Sequence, residues 1–122
     1  MSFHFVSHRW EVQDVDGGTQ VMLTQRDLES AKIPVLVDEL FDLCLEGGQG
    51  VLFLDFRGVH LLASIVVGKL LALNARLRQS DCRLVLCNVE PTIHEMLQNT
   101  GVADVLEVRC AEMAGDVLQS TR

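Results

Sequence analysis

Apolar and polar positions alternate through Trp10-Glu11-Val12-Gln13-Asp14-Val15, the chain then meets Asp16-Gly17-Gly18, and a second short run follows at Gln20-Val21-Met22-Leu23-Thr24. A period of two broken by a glycine-containing turn predicts a β-hairpin. The period then changes: from Ser30 to Leu45, the apolar residues Val37, Leu40, Phe41, Cys44 and Leu45 return mostly at spacings of three and four. That predicts a helix with one apolar face, closed by Gly47-Gly48. Val51-Leu52-Phe53-Leu54-Asp55-Phe56, between Gly50 and Gly58, is almost continuously apolar. Such a run predicts a central strand covered on both faces.

Ser64 opens a segment to Arg78 in which Val67, Leu70, Leu71, Asn74 and Leu77 follow helical spacing, with Arg76 and Arg78 suited to its negative C-terminal end. Arg83-Leu84-Val85-Leu86-Cys87 predicts the next strand. Glu90-Pro91-Thr92 then starts a short helix to Gly101, because proline at the first helical position gives up no helical hydrogen bond. A brief strand, Val105-Leu106-Glu107-Val108, and a last helix bearing Met113, Val117 and Leu118 complete the pattern. The order β-β-α-β-α-β-α-β-α predicts an α/β fold with a mixed central sheet of about five strands, its central strands parallel and joined by right-handed crossovers. With 122 residues and no repeat or linker, residues 1–122 are expected to form one domain, its core running from about residue 9 to about residue 118.

Charge narrows the partners. Seventeen acidic residues against ten basic give a formal charge of −7, and the scattered lysines and arginines form no stripe for phosphates. Nucleic acid is therefore not an expected partner, and a protein with a basic surface is. The longest apolar run, Leu61 to Val67, is interrupted by Ser64 and falls short of the ~18 residues of a membrane span. Met1-Ser2-Phe3-His4-Phe5 lacks the basic-then-apolar signature of a secretory signal, so the expected compartment is the cytoplasm.

A search for catalytic chemistry finds no constellation. Cys44, Cys82, Cys87 and Cys110 are irregularly spaced with no Cys-x-x-Cys, which reads as buried thiols. His4 and His8 stand four apart but lie in the N-terminal tail and not on a predicted helix, His60 lies in a loop and His94 on a short helix, and the glycine pairs do not continue into a phosphate loop. No metal, no cofactor and no enzymatic activity are expected. Asp55, near the end of an apolar strand, invites comparison with a phosphoacceptor aspartate. Yet no acidic pair follows the first strand and no lysine the last, so a structural role is expected.

Leu61-Leu62-Ala63-Ser64-Ile65-Val66-Val67-Gly68 carries the most information. At a helix start the first N–H groups are unpaired and the dipole is positive, so a serine oxygen there can cap the helix. The same field favours a phosphoserine, whose charge of roughly −1.5 to −2 would transform a docking surface.

From Val51 to Val108 the chain resembles a STAS domain of the anti-sigma factor antagonist type. Val51 to Ser64 is similar to that family's apolar strand, its Gly-Val turn and the loop leading to its Asp-Ser-Ser/Thr-Gly motif. Cys82 to Ile93 is similar to its fourth strand and Ser-Pro helix start, and Met96 to Asp104 to its Ser-Gly-Leu signature. Gln20 to Thr24 and Asp27-Leu28-Glu29 stand where the family has its second strand and a turn. The resemblance implies partner switching: the unphosphorylated protein binds an anti-sigma factor that is also a serine kinase, and phosphorylation ends the complex. It places the phosphorylated residue at Ser64 and docking at Arg57, His60, Ala63, Ser64, Ile65 and Val66. Ala63 replaces the family's aspartate, and Ile65-Val66 its Ser/Thr-Gly. Ile65 and Val66 thus read either as an apolar contact patch or as helix residues packed in the core. The alternative function is a non-switching STAS scaffold or a subunit of a signalling or transport complex.

Overall fold

A computed structural model describes residues 11–29 and 33–110. The hairpin forms as β1 (Glu11–Val15) and β2 (Gly18–Thr24), antiparallel, with Val12 opposite Val21. Its two-residue turn is Asp16-Gly17, where Gly17 takes a φ of 90° that a side chain would resist. β3 (Val51–Gly58), β4 (Arg83–Val89) and β5 (Glu107–Cys110) extend the sheet in parallel, in the order β1-β2-β3-β4-β5. This is the mixed five-stranded sheet that the pattern predicts, with β3 in the middle.

Among the described residues four helices join the strands: α1 (Gln25–Leu28), α2 (Ile33–Gly47), α3 (Ser64–Gln79) and α4 (Pro91–Asn99). α1 is not predicted by periodicity, being a single turn held by its cap. The Asp27 N–H donates to Thr24 Oγ1 at 3.2 Å, and the Thr24 N–H donates to the Asp27 carboxylate at 2.9 Å. α2 is described from Ile33, and Ser30, where the pattern begins the helix, lies outside the described residues. β5 begins at Glu107 rather than Val105, because the N–H groups of Val105 and Leu106 are taken by Val102 O in a turn of 3₁₀ helix at Val102–Asp104. The helix expected around Met113, Val117 and Leu118 lies outside the described residues.

Register decides the core. Thr19, Val21, Leu52, Leu54, Leu84 and Leu86 lie in matching positions across β2, β3 and β4, and all are buried. Crossovers between consecutive parallel neighbours carry α2, α3 and α4 to that one face. There Leu36, Leu40, Leu70, Leu73, Leu77, Ile93 and Leu97 complete a continuous core. Each such side chain contributes ~1.5–3 kcal/mol by leaving water. Met22, Phe53, Val85 and Cys87 belong to the opposite face, so the described helices cover β3 on one face where the sequence pattern predicts both. Apolar sequence on β3 arises there from Phe53 and Val51, which are half-buried.

The strands β3, β4 and β5 end at one edge of the sheet. The loops that follow β3 and β4, together with α1 after β2, are therefore gathered along that edge.

Candidate functional site

Along this edge the loop from Val59 to Ala63 leads into α3. Val59 turns inward, fully buried, and its N–H donates to Phe56 O at 2.9 Å. His60 and Leu61 turn outward and are held by one side chain from α1. Gln25 Oε1 accepts the N–H of His60 at 2.7 Å and of Leu61 at 2.8 Å, while its Nε2 donates to Leu61 O at 3.0 Å. On the other side, His60 Nδ1 meets Glu90 Oε2 at 2.6 Å, tying the loop to the start of α4. The loop is thus pinned at both flanks, which limits the ordering cost when a partner binds it.

Ala63, not Ser64, is the cap residue of α3. Its backbone is extended, φ −72° and ψ 152°, and its carbonyl accepts the N–H groups of Val66 at 3.0 Å and Val67 at 3.1 Å. Ser64 is the first helical residue, so the capping role read for it from sequence is corrected: no side-chain cap bond exists at this end. The Ser64 side chain is exposed. Ile65 beside it is 68% exposed and Leu61 70%, whereas Val66 is 4% exposed and part of the core. Of the two readings of Ile65-Val66, exposure therefore belongs to Ile65 and core packing to Val66. One helical step of about 100° separates their directions.

A groove of about 350 Å³ opens beside the helix start, lined mainly by Leu28, Leu61, Leu62, Ala63 and Val66. One turn beyond Ser64, Gly68 is exposed, and a Cβ added there would meet nothing within 4 Å. The face below Ser64 is consequently open to close approach.

The structure brings His60, Ala63, Ser64 and Ile65 together and sets Arg57 apart. Arg57 projects on the sheet face of Asp55, to which its guanidinium is bound at 2.8 Å. Asp55 is fully buried, and its other oxygen accepts the N–H of Arg57 at 2.9 Å and the Asn88 amide at 3.0 Å. Asn88 reaches it through a left-handed backbone, φ 56°. Both oxygens are committed, the arrangement of a structural carboxylate. Gln25 and Glu90 escape sequence reasoning as site residues, since neither lies in a motif near Ser64. Among the described residues no group of three or more His, Cys, Asp or Glu is placed to hold a metal ion, and no helix is long and apolar enough to cross a membrane.

Comparison with known proteins agrees with this fold. The sequence matches the STAS domain family over residues 10–114. No curated protein matches it in sequence. An anti-sigma-factor antagonist (STAS) domain protein from Planctomyces limnophilus superposes with a TM-score of 0.67 at 16% identity, covering 91% of this chain and 97% of that one. A structure of the stressosome, a signal integration and transduction hub, gives 0.67 at 15%, covering 89% and 93%. The anti-sigma factor antagonist SpoIIAA in its unphosphorylated form gives 0.64 at 16%, covering 93% and 96%. At these identities the likeness is one of fold.

Proposed function

The chain belongs to the STAS domain family, and on that footing we propose that it is a regulator of the anti-sigma factor antagonist type. It binds an anti-sigma factor that is also a serine kinase, through the edge that carries Ser64, and acts in the cytoplasm by binding rather than by catalysis. One observation carries the reading. Ser64 is exposed at the first position of a helix, between the exposed apolar side chains of Leu61 and Ile65, on a loop pinned by Gln25 and Glu90. Leu61 and Ile65 supply apolar anchors, the adjoining groove accepts an anchor in return, and Gly68 lets the partner's backbone come near.

Phosphorylation of Ser64 would act as the switch. The phosphoryl group brings roughly −1.5 to −2 charges and three acceptor oxygens to a surface whose neighbours are apolar. The helix N-terminus tolerates that charge, but a partner packed against Leu61 and Ile65 would have to desolvate it, which breaks the complex. A second reading, the non-switching scaffold, is favoured by Ala63. It stands where the family pattern has an aspartate, and it brings no side-chain oxygen to the helix cap.

A titration with the cognate anti-sigma factor separates the two. In the switching role Ser64→Asp weakens binding far more than about tenfold, or ~1.4 kcal/mol. Kinase and ATP also add one phosphoryl group to the Ser64 peptide. Binding of Ser64→Asp within tenfold of the parent, with that peptide mass unchanged, selects the scaffold. If neither Leu61→Asp nor Ile65→Asp weakens partner binding, docking at this edge is refuted in both forms.

A further inference from the structure

The four cysteines occupy four different environments. Cys44, on α2, is 2% exposed, and burial together with the adjacent Cys82 thiol pushes its pKa up to about 12. Burial also raises Cys87, with the charge of Arg109 opposing. Cys82 is half-buried and its thiol donates to Ser80 O at 3.4 Å. Cys110, the last residue of β5, is exposed, and its Sγ lies 2.9 Å from Nδ1 of His94.

The fold makes this contact from three elements. Val89 at the end of β4 pairs with Cys110 at the end of β5, and the next residue, Glu90, caps α4. His94 lies one turn into α4, its N–H donating to Glu90 O at 2.9 Å. Helical side chains lean towards the N-terminus, so this imidazole leans back over the strand ends and reaches the thiol. Cys110 is thus the one cysteine of the four that combines exposure with a base at hydrogen-bonding distance. A sulfur nucleophile beside an imidazole is the arrangement that activates thiols generally.

We propose that Cys110 and His94 form a thiol modification site that takes small disulfides, such as oxidised glutathione. The imidazole accepts the Cys110 proton, and the sulfur attacks one sulfur of the disulfide. A new S–S bond forms to Cys110 as the old one breaks, and the departing thiolate takes the proton back from the imidazolium. The products are a mixed disulfide on Cys110 and one free small thiol, so no further oxidant is needed, and excess thiol reverses the exchange. The site lies on the same edge as His60 but does not depend on any partner docking there.

The test incubates the reduced full chain with oxidised glutathione and follows each cysteine peptide by mass. Cys110 is expected to be modified at least about tenfold faster than Cys82, a half-buried thiol bonded to Ser80 O rather than to an imidazole. His94→Gln removes most of that advantage at about pH 7 and little of it at about pH 9, where hydroxide takes the proton unaided. The Cys82 rate stays the same in His94→Gln and reports an intact fold. Equal rates at Cys110 and Cys82 overturn the proposal, as does an unchanged Cys110 rate in folded His94→Gln. Should that variant unfold, the parent chain decides through its pH profile. Between about pH 9 and about pH 7 the Cys110 rate falls less steeply than the Cys82 rate if the imidazole assists, and equal slopes refute it.

Discussion

Replacing Gln25 with methionine keeps the length of the side chain and removes all three of its hydrogen bonds to the loop before α3. The bonds lie at an accessible site where water can take their place, so each contributes ~0.5–1 kcal/mol rather than the full cost of a buried orphan. Together they hold the loop by about 2 kcal/mol, which corresponds to roughly thirtyfold in a local opening equilibrium. Residue-resolved hydrogen exchange reads this directly. In Gln25→Met the amides of His60 and Leu61 exchange about thirtyfold faster, while Val59, bonded to Phe56 O inside the strand end, keeps its protection. If the loop is the docking surface, partner affinity falls by up to the same factor, since the partner must now order it. Unchanged exchange at His60 and Leu61 would show that Gln25 does not hold the loop, and acceleration spread over the whole sheet would show a global role instead.

Asp55→Asn keeps the shape but loses the charge-assisted bond to Arg57 and sets donor against donor, so urea unfolding should show a loss of about 2–3 kcal/mol. Arg57→Ala should cost below about 1 kcal/mol because its side chain is 65% exposed; equal losses would contradict this account of the pair. Gly18→Ala drives a Cβ into the backbone carbonyl of Val51 and should destabilise by about 2 kcal/mol. Gly68→Ala meets nothing and should stabilise α3 by ~0.5–1 kcal/mol, so a thermal melt that ranks the two the other way refutes the packing argument. The pH profile has two limbs. Cys44 is raised on folding from 9.0 to about 12, so the stability it contributes is present below pH 9 and is lost as pH rises towards 12, a loss absent in Cys44→Ala. Burial raises Glu107, but hydrogen bonds and charge from Arg83 and Arg109 outweigh it and hold the carboxyl below 4.5. Its contribution is therefore present above pH 4.5 and lost as pH falls below it; if Glu107→Gln leaves the acid limb of the denaturation curve unmoved, the cluster has no such role.

The five strands, the three longer helices between them and the mixed sheet were legible in the chain, because each depends on a local period. Asp16-Gly17 marks a hairpin through backbone freedom, Pro91 marks a helix start through its missing donor, and Val51 to Phe56 marks a central strand through its apolar run, although only the register showed which face the helices cover. The same pattern led to Ser64 and its neighbours, but not to what each side chain does. Ser64 and Ala63 exchange the cap position on the strength of one residue's dihedral angles, and Ile65 and Val66 part company by one helical step. Those outcomes depend on how α3 is rotated against the sheet. Likewise Gln25 meets Leu61 across 36 positions, His60 meets Glu90 across 30, and Cys110 meets His94 across 16. Contacts of that kind have no period to read. They form only after the parallel strands align their ends and bring distant loops to one edge, so tertiary structure alone decided which residues share the site.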